Sequence, residues 1–196
     1  MKKIFAKLAM ALCLTAMVSC GDKKAAPAPA DEGYKVGDYY CDSVKEGIVF
    51  EVYDGGKHGK IVSLDEGTAK WAVRALAHRA TDATSSNNGM VNLNEIKNLS
   101  NWETNYPAFA WCASLGDGWY LPSKDELMLV YENRKAINDA LTEKGRAKMS
   151  ATFHWSSSEM EDERAWGCGF SDDGWLGGSG YDEKHMNESL RAVCAF

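Results

Sequence analysis

The chain has 196 residues, with 22 Lys and Arg against 28 Asp and Glu, for a formal net charge of −6. An acidic surface repels phosphate backbones, which argues against nucleic acid as a partner. Seven Trp, eight Tyr and 18 Gly describe a loop-rich domain with many aromatic anchors, in which long helices do not dominate.

Residues 1–19 read as a lipoprotein signal peptide. Lys2, Lys3 and Lys7 make a positive start, and residues 8–18 are an apolar run far short of the ~20 residues a membrane span needs. The run ends in "MVSC", which resembles a bacterial lipobox with Cys20 as the residue acylated after cleavage. Met17 stands where that motif more often has leucine, and an ordinary secretory signal cut nearby is the alternative. The strip "GDKKAAPAPADEG" has no apolar periodicity, so residues 20–33 read as the lipidated cysteine and a flexible Ala/Pro tether. Residues 34–196 remain as one domain. Without the three leader lysines, residues 20–196 carry 19 basic against 28 acidic residues, a net charge of −9.

That domain holds Cys41, Cys112, Cys168 and Cys194. In an exported chain they allow three pairings or free thiols, and their spacings match no zinc pattern. Cys168 and Cys194 each fall in the middle of a strand-like run, so a cross-strand bridge between them is one option; the others stay open.

"GIVFEVYDGGKHGKIVSL" (47–64) reads as a hairpin, two β-rich runs around a turn of Asp54, Gly55, Gly56 and Gly59. A short helix is expected over 68–76, followed by the polar loop "TDATSSNNG". "NLNEIKNL" places Leu93, Ile96 and Leu99 at three-residue steps, and "YPAFAWCASLG" has Pro107 at the first turn and Gly116 past the end; both read as helices. In "GDGWYLPSKDEL", Ser123 and Glu126 make a capping box, Pro122 biases Leu121 towards an extended backbone, and the helix that follows carries Leu127, Val130 and Tyr131 on one face. "AINDALTEKG" repeats the pattern and closes at Gly145.

Beyond Gly145 the character changes. "FHWSSSE", "AWGCGF" and "LRAVCAF" are short strand-like runs, whereas "SDDGWLGGSGYDEKHMNES" has almost no regular periodicity. Strands, then helices, then strands suit an α+β fold with one mainly antiparallel sheet.

"GDGWYLPSKDEL", "WSSSE", "AWGCGF" and "LRAVCAF", in this order, resemble the C-type lectin-like domains of the Lcl C-terminal type. Upstream, "GIVFEVYDGGKHGKIVSL", "NNGMVNL" and "YPAFAWCASLGDGWYLP" are similar to exported lipoproteins carrying that domain, so the resemblance spans about 34–196. It implies a C-type lectin-like fold: N- and C-terminal strands paired, a small mainly antiparallel sheet, flanking helices and a long irregular loop region. Trp119 and Leu121 would pack in the core as scaffold residues.

The C-terminal part also resembles targets of diversity-generating retroelements, whose fixed frame encloses hypervariable positions. Trp155, Ser156, Ser157, Ser158, Glu159, Ala165, Trp166 and Phe170 fit that frame, as do Gly174, Lys184, Arg191, Ala192, Val193, Ala195 and Phe196. Adenine-directed change of asparagine codons cannot produce Met160, Glu161, Trp175 or Met186, and the same frame occurs in relatives that are not diversified.

Read as physics alone, Trp155, Trp166, Phe170, Val193 and Phe196 belong to a core, and the residues between them to a surface. The expected ligand-binding surface is therefore Met160, Glu161, Asp162 and Glu163, with Asp172, Asp173, Trp175 and Leu176. Tyr181, Asp182, His185 and Met186 complete it. The alternative for Trp175 and Tyr181 is that they fold back to cover the core.

Neither "EPN", "QPD" nor "WND" is present, and an acidic loop such as Asp172, Asp173, Asp182 and Glu183 is more often solvated than calcium-bound, so no metal is expected. No G-x-S-x-G, H-E-x-x-H or phosphate loop occurs, and His58, His78, His154 and His185 are scattered, so neither enzymatic activity nor a cofactor is expected. The resulting expectation is a cell-envelope lipoprotein, outer membrane by preference, that displays its C-terminal loops to a protein or glycan ligand and touches membrane only through its lipid. The second reading is a structural or pilus-associated envelope subunit with a fixed partner, and the third is a hydrolase whose site has no recognisable motif.

Overall fold

A computed structural model describes residues 33–171 and 177–196. Two short strands, β1 (Tyr39–Cys41) and β2 (Glu46–Tyr53), lead through a 3-10 turn at Asp54–Gly56 into β3 (His58–Val62). This is the hairpin expected from the sequence, except that Gly59, expected in the turn, lies in β3 opposite Val52. Gly55 sits at φ 67°, a left-handed conformation that glycine adopts without strain.

Next comes β4 (Gly67–Lys70), where a helix was expected. Its residues pair with β8 (Asn187–Leu190) in a regular antiparallel register, Gly67 opposite Leu190 and Lys70 opposite Asn187. Long-range pairing overrides local preference here. After it, Trp71 is fully buried and donates its indole N–H to the Ser156 carbonyl at 2.9 Å.

Helices α1 (Gly89–Lys97), α2 (Trp102–Asn105), α3 (Pro107–Ser114), α4 (Lys124–Glu132) and α5 (Arg134–Glu143) follow. Asn88 caps α1 by accepting from the Met90 and Val91 amides. At α4 both halves of the capping box form, and Glu126, 3% exposed, also accepts from the Tyr120 hydroxyl, the Gly89 amide and the Lys60 ammonium. Trp119 and Leu121 are buried in the core, as expected of a scaffold segment.

The C-terminal strands are β5 (Phe153–Glu161), β6 (Arg164–Phe170), β7 (Gly177–Glu183), β8 and β9 (Val193–Ala195). Among the described residues they form two sheets rather than one: β1-β2-β3-β9 and β4-β8-β5-β6-β7. All neighbours are antiparallel except the single parallel pair His154 with Ser189. The fold is α+β.

Arg191 marks the crossing between the sheets. It is 1% exposed and donates to the Ser63, Leu64 and Ala147 carbonyls and to Glu66. Glu66 also meets His154 Nε2 at 3.1 Å and the Ser150 amide. Burial alone would raise the Glu66 carboxyl, but these hydrogen bonds and the neighbouring positive charges outweigh it and hold the group down at about 2. Because the chain changes sheet here, Cys168 on β6 and Cys194 on β9 lie in different sheets. Both are free and buried, as is Cys112, so the bridge considered between Cys168 and Cys194 does not form.

Candidate interaction surface

"WSSSE" is where β5 stops pairing regularly with β6. The register shifts between Trp155 and Glu159, so Ser156, Ser157 and Ser158 form a bulge with no ladder partners. All three serines are buried, and each hydroxyl finds a fixed partner. Ser156 donates to the Trp166 carbonyl at 2.7 Å and Ser158 to the Ser85 carbonyl at 2.7 Å, while Ser157 accepts from the Asn92 amide at 2.9 Å. The bulge thereby ties β5 to the loop before α1 and to α1 itself.

Glu159 ends the bulge and meets Lys184 in the interior. Lys184 is fully buried and donates to the Glu159 carboxylate, to the Arg79 carbonyl at 3.1 Å and to the Asp162 carbonyl at 2.7 Å. Three ammonium hydrogens thus meet three acceptors, with the Trp71 ring 4.9 Å away on another side. Burial pushes the Lys184 amine below its usual range, and the Glu159 charge opposes that shift. Glu159 also accepts from the Thr81 amide at 2.9 Å. One buried pair therefore pins the β5–β6 turn, the β7–β8 turn and the 79–81 segment to one another.

Over this anchor lies the surface expected to contact a partner. Met160, Glu161, Asp162 and Glu163 are exposed on the end of β5 and the turn into β6. Tyr181, 49% exposed, lies edge-on to Trp166, with the Arg164 guanidinium 5.3 Å from its ring centroid, and Lys124 stands 4.0 Å over the Trp166 ring. Asp182 is half-buried on β7, and His185 and Met186 lie in the following turn, His185 against Glu183 at 3.3 Å. Burial, and then the nearby Asp182 charge, raise Glu188 to about 7. A polar depression of about 250 Å³ opens beside the turn, lined by Arg74, Ala77, His78, Glu163, Glu183 and His185.

No family model matches the chain, and no curated protein sequence matches it. Among solved structures, the crystal structure of a fimbrial protein from Bacteroides ovatus superposes with a TM-score of 0.65 at 17% identity, over 83% of this chain and 49% of that one. The chain thus spans about half the length of that protein. Such a likeness speaks to fold and is consistent with the α+β arrangement described above.

The expected surface is brought together in part. Met160 to Glu163 and Tyr181 to Met186 converge through the Lys184 anchor, and Tyr181 lies outward instead of covering the core. Asp172, Asp173, Trp175 and Leu176 lie outside the described residues, as does Cys20. The long irregular loop is corrected: residues 177–183 and 187–190 are strands. Gly177, Gly178 and Gly180 mask the alternation of β7 in the sequence, since they supply no side chains to read. Arg74 and His78 were missed, for they reach the depression from about a hundred residues upstream and no local motif marks them. Among the described residues no group of three or more His, Cys, Asp or Glu is placed to hold a metal ion.

Proposed function

We propose that this chain is a non-enzymatic, lipid-anchored subunit of the cell envelope that docks one fixed protein partner through the surface around the β5–β6 and β7–β8 turns. The observation that carries this reading is the buried Lys184–Glu159 pair, which gives that surface a shape set by the framework. A pinned surface suits a constant partner, because it pays little ordering entropy on binding. The likeness to a fimbrial protein supports an envelope role, and the leader with Cys20 supports export and anchoring. Within the same proposal the domain is of the C-type lectin-like type, and its membrane contact is the lipid alone.

In-cell photocrosslinking tests the reading. A photoreactive residue at Met160 or Met186 gives one discrete adduct in the envelope fraction, which is absent when the probe is at Val44, an exposed residue of the other sheet's β1–β2 turn. A chain recovered in the cytoplasmic fraction, or no adduct at either position, overturns it.

One observation favours the ligand-recognition reading as second. The frame residues Trp155, Glu159, Ala165, Phe170, Lys184 and Arg191 are buried, whereas Met160, Glu161, Tyr181 and Met186 are exposed between them. Exposed positions held between fixed ones could carry a hypervariable face for a protein or glycan. A reverse-transcriptase gene beside a near-copy of this gene's 3′ end would decide for that reading.

A further inference from the structure

An open sheet edge offers a row of unpaired backbone N–H and C=O groups, and folded chains blunt such edges with short strands, bulges, cover or charge. Each of the two sheets has two edges. In the four-stranded sheet β1 is three residues long. At the opposite edge β9 is closed by the Tyr120 backbone, which exchanges hydrogen bonds with Val193 at 3.0 and 2.9 Å. In the five-stranded sheet β4 has four residues, and the Trp111 ring lies so close over Gly67 that an added Cβ would stand 2.4 Å from it.

The fourth edge, β7, is different. It is seven residues long and pairs with β6 at seven consecutive positions without a bulge, from Arg164 opposite Glu183 to Phe170 opposite Gly177. It contains no Pro and no Lys. Among the described residues nothing pairs with its outer side.

We propose that the outer edge of β7 pairs antiparallel with β7 of a second copy of this chain, about a two-fold axis at Gly180, joining two five-stranded sheets into one. The strand's own sequence selects this occupant and this register. Centred on Gly180, the pairing sets Ser179 opposite Tyr181 of the second copy, Asp182 opposite Gly178 and Glu183 opposite Gly177. Every carboxylate then faces a glycine, with no like charges opposed and no side chain to exclude. A parallel pairing would instead set Asp182 and Glu183 beside their own copies, which is unfavourable. A two-fold axis perpendicular to the sheet also leaves the Tyr181 face of both copies on one side, and the isologous contact closes at two. The pairing is independent of the envelope reading and leaves the β5–β6 turn open.

Sedimentation equilibrium on the purified domain tests it. Wild type forms a dimer in the high-micromolar range, as suits an interface smaller than the standard protein–protein size. Ser179→Lys with Tyr181→Lys places like charges opposite each other twice and weakens association about tenfold. Ser179→Lys with Tyr181→Glu places opposite charges there and restores it. Concentration-dependent hydrogen-exchange protection confined to 177–183 gives a second reading that needs no substitution. A wild-type monomer throughout that range overturns the proposal, and so does a dimer insensitive to both charge pairs.

Discussion

Lys184 is the residue on which the C-terminal surface turns. Its ammonium lies in the interior with three acceptors, one of them the Glu159 carboxylate. Removing either partner strands the other as a buried, uncompensated charge. Lys184→Met is therefore expected to lower unfolding stability by about 3–5 kcal/mol. Adding Glu159→Leu recovers part of that loss, which urea denaturation of the two single variants and the double variant would read as strong non-additivity. Glu66 makes a prediction in pH. Its folded carboxyl titrates at about 2 against an ordinary 4.5, so it contributes stability above pH 4.5 that is lost as pH falls towards 2. The size is on the order of 3 kcal/mol. Glu66→Gln should flatten the acid limb of a melting-temperature profile, and a limb of unchanged steepness would contradict the assignment. Neither role could be read from the sequence. Lys184 sits in an unpatterned polar stretch, and Glu66 finds His154 and Arg191 only after the chain has returned from the other sheet.

At the scale of elements, local chemistry was readable wherever it is self-contained. The Ser123–Glu126 box, the Asn88-led helix and the glycine turn of the β2–β3 hairpin are all decided within a few residues. β4 and β7 were not readable, because each exists only through a strand far away in sequence. β7 is a special case, since its glycines serve a packing need. Gly167 on β6 lies opposite Gly180 on β7, and the Phe153 ring lies over both. A Cβ at Gly167 would stand 2.4 Å from the Phe153 ring and from the His154 carbonyl. Gly167→Ala should thus cost about 1–3 kcal/mol, the usual range for overpacking. Gly145→Ala, with nothing within 4 Å but φ at +67°, tests backbone strain without a clash. Thermal melts of the two variants would separate the effects, and an unperturbed Gly167→Ala protein would remove the packing account of the glycine pairs.

For the whole molecule, the α+β class and the burial of Trp155, Phe170 and Val193 were legible, because they lie in strand-like runs whatever the topology. Trp166, also expected in the core, is only half-buried, with Lys124 over its ring. The split into two sheets was not legible, since the partners that Arg191 meets between β8 and β9, the Ser63, Leu64 and Ala147 carbonyls, come from segments far away in sequence. Nor was the depression beside the turn, whose walls come from segments distant in the chain. What unites these scales is a C-terminal segment held as framework, from which an acidic, partly aromatic surface is presented in one shape. Native-state hydrogen exchange tests that claim most directly. Peptides covering 164–170 and 184–190 should be protected to a similar degree in the wild type, and Lys184→Met should release 184–190 first. Exchange of 184–190 at the rate of an unstructured chain in the wild-type protein would contradict the account.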